Sequence, residues 1–187
     1  WCCIEGDDFW CDPQKLDKQI NILEKNPITV ACATSTRMID GQGKELGIIS
    51  PHKDRWNYAD LVFKANVYSF YVHICSIMYR NMPVDSPTFH PKSYHRTKQR
   101  GEVALHHAIL RSTGMDCIHI PDISSVYRIT GKGIWTSLSE EEKLKRNKEL
   151  SQALQDLRPW NYKLQQFINT VFPRRKSYRL LKRPPIN

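Results

Sequence analysis

The stretch Glu5-Gly6-Asp7-Asp8-Phe9-Trp10-Cys11-Asp12-Pro13-Gln14-Lys15-Leu16 decides how this chain is read. It follows a short apolar run, Trp1-Cys2-Cys3-Ile4, and ends in a helix start. Asp12 is a good N-cap, and Pro13 falls at the first helical position, where a missing amide proton leaves no bond unmade. Asp7 and Asp8 are therefore expected at the C-terminal end of a strand, in the turn before a helix. In open α/β sheets that edge is where ligands bind. Adjacent carboxylates repel one another, and a hard divalent cation relieves the repulsion while keeping positions for substrate oxygens and water. Mg²⁺ or Mn²⁺ holding a diphosphate suits such a pair. A solvated acidic surface turn is the plainer alternative.

Outward from this stretch, apolar spacing alternates between helical and extended. Leu16, Ile20 and Leu23 share one face of a helix over 13–25, which Asn26-Pro27 should end. Residues 28–33 are β-rich and predict a core strand, and 34–49 predict a ribbon or loop around the turn dipeptide Asp40-Gly41. Residues 57–65 read as helical, and 66–80 as a loop followed by a buried strand or helix. Pro83, Pro87 and Pro91 break any regular element over 82–100, which predicts a loop. A helix beginning near Gly101 carries Ala104, Leu105, Ala108 and Ile109 on one face and stops at Gly114. Ser139 with Glu142 forms a capping box, and Leu144, Leu150, Leu154 and Leu157 mark a helix running to Arg158-Pro159. A further helical piece is expected over 160–171. The pattern predicts an α/β fold.

Three segments in register resemble family 2 glycosyltransferases, which transfer sugars from nucleotide-sugar donors on a GT-A fold. The first is Glu5-Gly6-Asp7-Asp8-Phe9-Trp10 with Asp12-Pro13 and Lys15-Leu16, similar to that family's metal-binding motif. The second runs from Asp60-Leu61 to Met78-Tyr79-Arg80, similar to its acceptor-side strand. The third, over 101–137, is similar to the family's catalytic-base helix (Gly101-Glu102-Val103-Ala104-Leu105), Tyr-Arg strand (Ser125-Val126-Tyr127-Arg128) and glycine-rich loop (Gly131-Lys132-Gly133-Ile134-Trp135-Thr136-Ser137). The likeness covers about residues 1–137. It implies an incomplete GT-A-like domain, a mixed sheet flanked by helices, over 1–137 and a helical basic extension over 138–187.

What the resemblance implies for chemistry is specific. Asp7 and Asp8 would hold Mg²⁺ or Mn²⁺ and contact the diphosphate of a nucleotide-sugar donor. Glu102, in the first turn of its helix, would accept the proton of a glycan or lipid-linked acceptor hydroxyl in an inverting transfer. Helix-dipole preference alone also accounts for a glutamate there. The family usually has Asp at this position, so the longer side chain needs a shift of helix or acceptor. Arg128 would contact the diphosphate or make a structural salt bridge. Relatives often carry a histidine two residues beyond that arginine, where this chain has Thr130. His73 and His119 substitute only if the fold brings them close, and neither is named as a ligand. Trp10 and Trp135 are candidates for shaping the sugar pocket or for packing. The likeness begins in the middle of the family's catalytic domain, so the chain is expected to be the C-terminal part of a longer protein. Such a fragment would expose a sheet edge and be inactive alone.

Composition sets the remaining bounds. With 187 residues, 40% hydrophobic and 25% charged, the chain suits one soluble globular domain. It contains no apolar run long enough for a membrane span. The six cysteines lack metal-type spacing and read as buried reduced thiols. Residues 137–187 hold 12 Lys/Arg and 5 Asp/Glu, so +7 of the formal +9 lies there. Six basic residues and no acid fall in 174–183. That tail reads as solvated, or as a peripheral anchor on anionic lipid at the inner, cytoplasmic face of a membrane. Nucleic-acid binding ranks last, because no recognisable motif accompanies the charge. A non-catalytic basic binding module is the alternative to the enzyme.

Overall fold

The computed structural model describes residues 1–57, 60, 70–81 and 101–156. The elements in chain order are β1 (Phe9–Trp10), α1 (Lys15–Lys25), β2 (Thr29–Asp40), β3 (Glu45–Ile49), β4 (Arg55–Trp56), β5 (Ile77–Tyr79), α2 (Gly101–Thr113), β6 (Asp116–Ile129) and α3 (Glu140–Asp156). The fold is mixed α/β: an open six-stranded sheet flanked by these helices.

The long strands β2 and β6 run parallel through its centre, from Thr29↔Asp116 to Asp40↔Ile129. Antiparallel pieces border them. Beside β6 lie β4, at Cys117–Ile118, and β1, at Ser125–Val126. Beside β2 lie β5, at Ala31–Ala33, and β3, at Thr36–Ile39. Such a central pair is covered on both faces, so Thr29 to Thr36 are all buried. The expected strand over 28–33 is thus the first half of a longer one, and the ribbon around Asp40-Gly41 is the β2–β3 hairpin. Trp1 and Cys2 run antiparallel to β5 through a Cys2↔Met78 bridge.

Side-chain alternation sorts the core into layers. Ala31, Ala33, Ile77 and Tyr79 point to one face and pack with Ile109 and Leu110 of α2. Cys32 and Met78 point to the other and meet Leu23 of α1. Leu150 and Leu154 of α3 pack with Val103 of α2.

Several local expectations are corrected. α1 begins at Lys15, because Asp12 closes an Asx turn instead of capping at Pro13: its Oδ1 accepts from Gln14 N at 2.9 Å. The buried face of α1 is Lys15, Gln19 and Leu23, while Ile20 is 43% exposed. Gln19 turns inward, its amide donating to Cys32 O (2.7 Å) and to Ser76 O (2.9 Å), which also accepts from Thr34 Oγ1 (3.3 Å). In α2 the buried side chains include Val103, His106, His107 and Leu110, with Ala104 and Leu105 half-buried. Gly114, at φ +62°, ends it as expected. Ser139 Oγ accepts from Glu142 N at 3.2 Å at the start of α3, but Leu144 is 68% exposed. All six cysteines are free; Cys32, Cys75 and Cys117 are buried, whereas Cys3 and Cys11 are exposed. Among the described residues, no helix is long and apolar enough to cross a membrane. Most of the helix expected over 57–65, the loop over 82–100, the helical piece over 160–171 and the basic tail lie outside the described residues.

Candidate functional site

A cavity of about 1070 Å³ opens where β6 ends, lined by Asp7, Tyr71, His73, Glu102, Tyr127 and Arg128 among others. It sits at the C-terminal edge of the parallel pair, the position at which open α/β sheets hold ligands. Residues remote in sequence meet there: the Glu5–Asp8 turn, the segment before β5, the first turn of α2, and the end of β6. Trp135 of the following loop and Lys143 and Arg146 of α3 complete its wall.

The acidic turn is closed by Asp8 N donating to Glu5 O at 3.1 Å. It is held against β6 because β1 pairs Phe9 with Val126 and Trp10 with Ser125. A short strand therefore separates the acids from the helix, where the sequence predicts a turn leading directly into it. Arg128 clamps this turn: its backbone N–H donates to Asp8 Oδ1 (3.1 Å), its Nε donates to Asp7 O (3.3 Å), and its guanidinium lies 5.8 Å from the Phe9 ring centre.

The two aspartates have different surroundings. Asp7 is exposed and lines the cavity. Asp8 is buried, and among the described residues its Oδ2 has no hydrogen-bond partner of ordinary geometry. Burial raises the Asp8 pKa to about 6; the Arg128 N–H opposes this, the charges of Asp7 and Glu5 add to it, and the neighbouring Cys75 thiol lowers it.

Beside Asp8 lie two residues that sequence reasoning did not assign. His73 Nδ1 is 3.7 Å from Asp8 Oδ2 and 3.0 Å from Cys75 Sγ. The His73 ring stacks on Tyr127 with centroids 4.2 Å apart. Burial holds His73 down at about 4, against the pull of Asp7, and lifts the Cys75 thiol to about 12. The imidazole is thus neutral and the thiol protonated near pH 7, so the His73–Asp8 contact is not an ion pair. The sequence offered His73 only as a substitute ligand should the fold bring it close, and the His-x-Cys spacing in an apolar run reads on its own as core.

Glu102 is half-buried in the first turn of α2 and lines the same cavity as Asp7. Its charge and those of Glu5, Asp7 and Asp8 all help raise the Tyr127 pKa, secondary to burial. His119 is engaged elsewhere, 3.2 Å from Ser35 Oγ and edge-on to Trp56. Trp10 is a packing residue: its Nε1 donates to Cys75 O at 3.0 Å, and Lys15 Nζ lies 4.8 Å from its ring centre.

A cation fits this ground on one observation, a buried Asp8 oxygen that makes no hydrogen bond of ordinary geometry among the described residues. Asp7 adds a second carboxylate from the cavity side.

No family model matches the chain. Over 136 residues it is 30% identical to uncharacterized proteins of Mycobacterium bovis and of two strains of Mycobacterium tuberculosis. The match takes in 71% of this chain and 35% of each relative. The chain thus spans about a third of their length.

Proposed function

We propose that the chain is part of a metal-assisted, inverting glycosyltransferase with a GT-A-like sheet, acting on a nucleoside-diphosphate sugar and a glycan or lipid-linked acceptor. One observation carries the reading: Asp7, Glu102 and Arg128, remote in sequence, line a single cavity at the ligand edge of the sheet.

In this reading Glu102 accepts the acceptor hydroxyl's proton as that oxygen bonds to the anomeric carbon and the bond to the diphosphate breaks. Asp7 and Asp8 would hold the cation, Mg²⁺ or Mn²⁺ by the family resemblance. When bound, it would supply positive charge for the departing diphosphate. Arg128 keeps the acidic turn in place and contributes a cationic wall. Tyr71 and Trp135 offer flat faces against which sugar rings pack. The basic segment 174–183 would bring the enzyme to anionic headgroups at the cytoplasmic face of a membrane.

Binding is the readout suited to a chain spanning a third of its relatives' length. Calorimetric titration with uridine diphosphate should show affinity that requires Mn²⁺, is lost in Asp7→Asn and survives in Glu102→Gln. Binding of equal strength with and without Mn²⁺, or none at millimolar ligand, sinks the reading.

A further inference from the structure

We propose that Asp8, His73 and Cys75 form a site for a borderline-soft divalent cation of the zinc class, set beneath the wall of the cavity. The inference stands on donor geometry and does not need the sugar-transfer reading. It does change what that reading asks of Asp8, leaving Asp7 as the carboxylate that faces the cavity.

The donor atoms of these three residues all lie within 4.8 Å of one another. Two of them approach the same atom: Asp8 Oδ2 and Cys75 Sγ lie 3.7 and 3.0 Å from His73 Nδ1. A ring nitrogen carries either one proton or one lone pair, so it serves one of these neighbours and leaves the other unmatched. Among the described residues Asp8 Oδ2 makes no hydrogen bond of ordinary geometry, although the nearby Cys75 thiol favours its charged form. A cation at the shared focus takes a lone pair from each. Zinc binds thiolate, imidazole and carboxylate at about 2.0–2.3 Å, which places tetrahedral donors roughly 3–4 Å apart. Coordination releases the Cys75 thiol proton to solvent, and three protein ligands leave a position for water or substrate.

The same geometry argues against two other occupants or roles. Mg²⁺ and Mn²⁺ favour oxygen donors, and a thiol with an imidazole selects softer ions. A Cys–His–Asp nucleophilic relay needs the thiol and the carboxylate on opposite ring nitrogens. Here both face Nδ1.

Co²⁺ is the probe, because a cobalt–thiolate bond absorbs by charge transfer in the near ultraviolet. Titrating the 187-residue chain under reducing conditions should give a saturable band at one equivalent, displaced by Zn²⁺ but not by excess Mg²⁺. Cys75→Ser should abolish the band and weaken Zn²⁺ binding by more than about 100-fold, the upper scale on which even outer partners of a ligand matter. Asp8→Asn keeps the thiol and should bind at least about tenfold more weakly while retaining the band, which tests the site if Cys75→Ser does not fold. A Cys3→Ser/Cys11→Ser double variant should behave like the unmodified chain. Survival of the band in Cys75→Ser, its loss in the double variant, or unchanged affinity in Asp8→Asn overturns the proposal. None of these readouts involves nucleotide, so the failure of this inference and the failure of the sugar-transfer reading are separable.

Discussion

Two buried histidines, His106 and His73, both have pKa values pushed down by burial, to about 3 and about 4, yet their surroundings are opposites. His106 uses both ring nitrogens: the Tyr79 hydroxyl donates to Nδ1, and Nε2 donates to Val72 O at 3.3 Å. It is fully buried between the sheet and α2, edge-on to Phe70. His73 has two neighbours competing for one nitrogen, with an unmatched carboxylate oxygen beside them. The first is a satisfied core histidine. The second leaves a buried carboxylate oxygen without a hydrogen bond of ordinary geometry among the described residues, which is unfavourable by up to roughly 1–3 kcal/mol. Burial and a lowered pKa therefore do not distinguish structure from function here; whether every donor and acceptor is matched does.

The largest effect should follow from breaking the satisfied side. His106→Ala removes a fully buried ring and strands both the Tyr79 hydroxyl and Val72 O. The loss should be about 3–4 kcal/mol in urea unfolding, from cavity and orphaned polar groups together. A loss under about 1 kcal/mol would mean that His106 is not the structural counterpart drawn above.

A pH series sharpens the contrast at His106. Its folded pKa of about 3 lies below the ordinary value of 6.5, so the unfolded chain takes up a proton that the folded one refuses. Its stabilising share is complete above pH 6.5 and declines as pH falls toward 3, by at most about 1.4 kcal/mol per pH unit. The difference in unfolding free energy between the unmodified chain and His106→Ala isolates that share. It should shrink between pH 6.5 and pH 4; a constant difference would show that the imidazole protonates freely in the fold.

How far the sequence reaches follows the same division. Local signals carried well: Gly114 ends α2 and Ser139 caps α3. Glu102 in a first turn and the Gly6-Asp7-Asp8 turn were both legible, and both border the cavity or its floor. Reading failed where the deciding partner is remote in the chain. Ile20 has the spacing of a core residue, yet Gln19 takes the buried face, where its amide donates to the carbonyls of Cys32 and Ser76. Leu144 looks like its neighbours in the pattern, but it is exposed, and the α3 leucines that pack with Val103 of α2 are Leu150 and Leu154. His73 and Cys75 stand two residues apart in an apolar run, and only the fold brings Asp8 to them.

The smallest expected change tests the unmatched side and runs in the opposite direction. In metal-free protein at pH 8, Asp8→Asn keeps an oxygen to accept the Arg128 N–H and removes a charge that burial penalises. Its amide can donate to His73 Nδ1 or to Cys75 Sγ, giving each competing neighbour a partner. Stability should stay level or rise by up to about 1 kcal/mol, while zinc binding weakens. An isosteric change that stabilises a fold while removing a ligand marks a position kept for something other than stability. A loss of about 2 kcal/mol or more in metal-free protein would instead make Asp8 a structural carboxylate, matched in a way its geometry does not display, and the contrast with His106 would collapse.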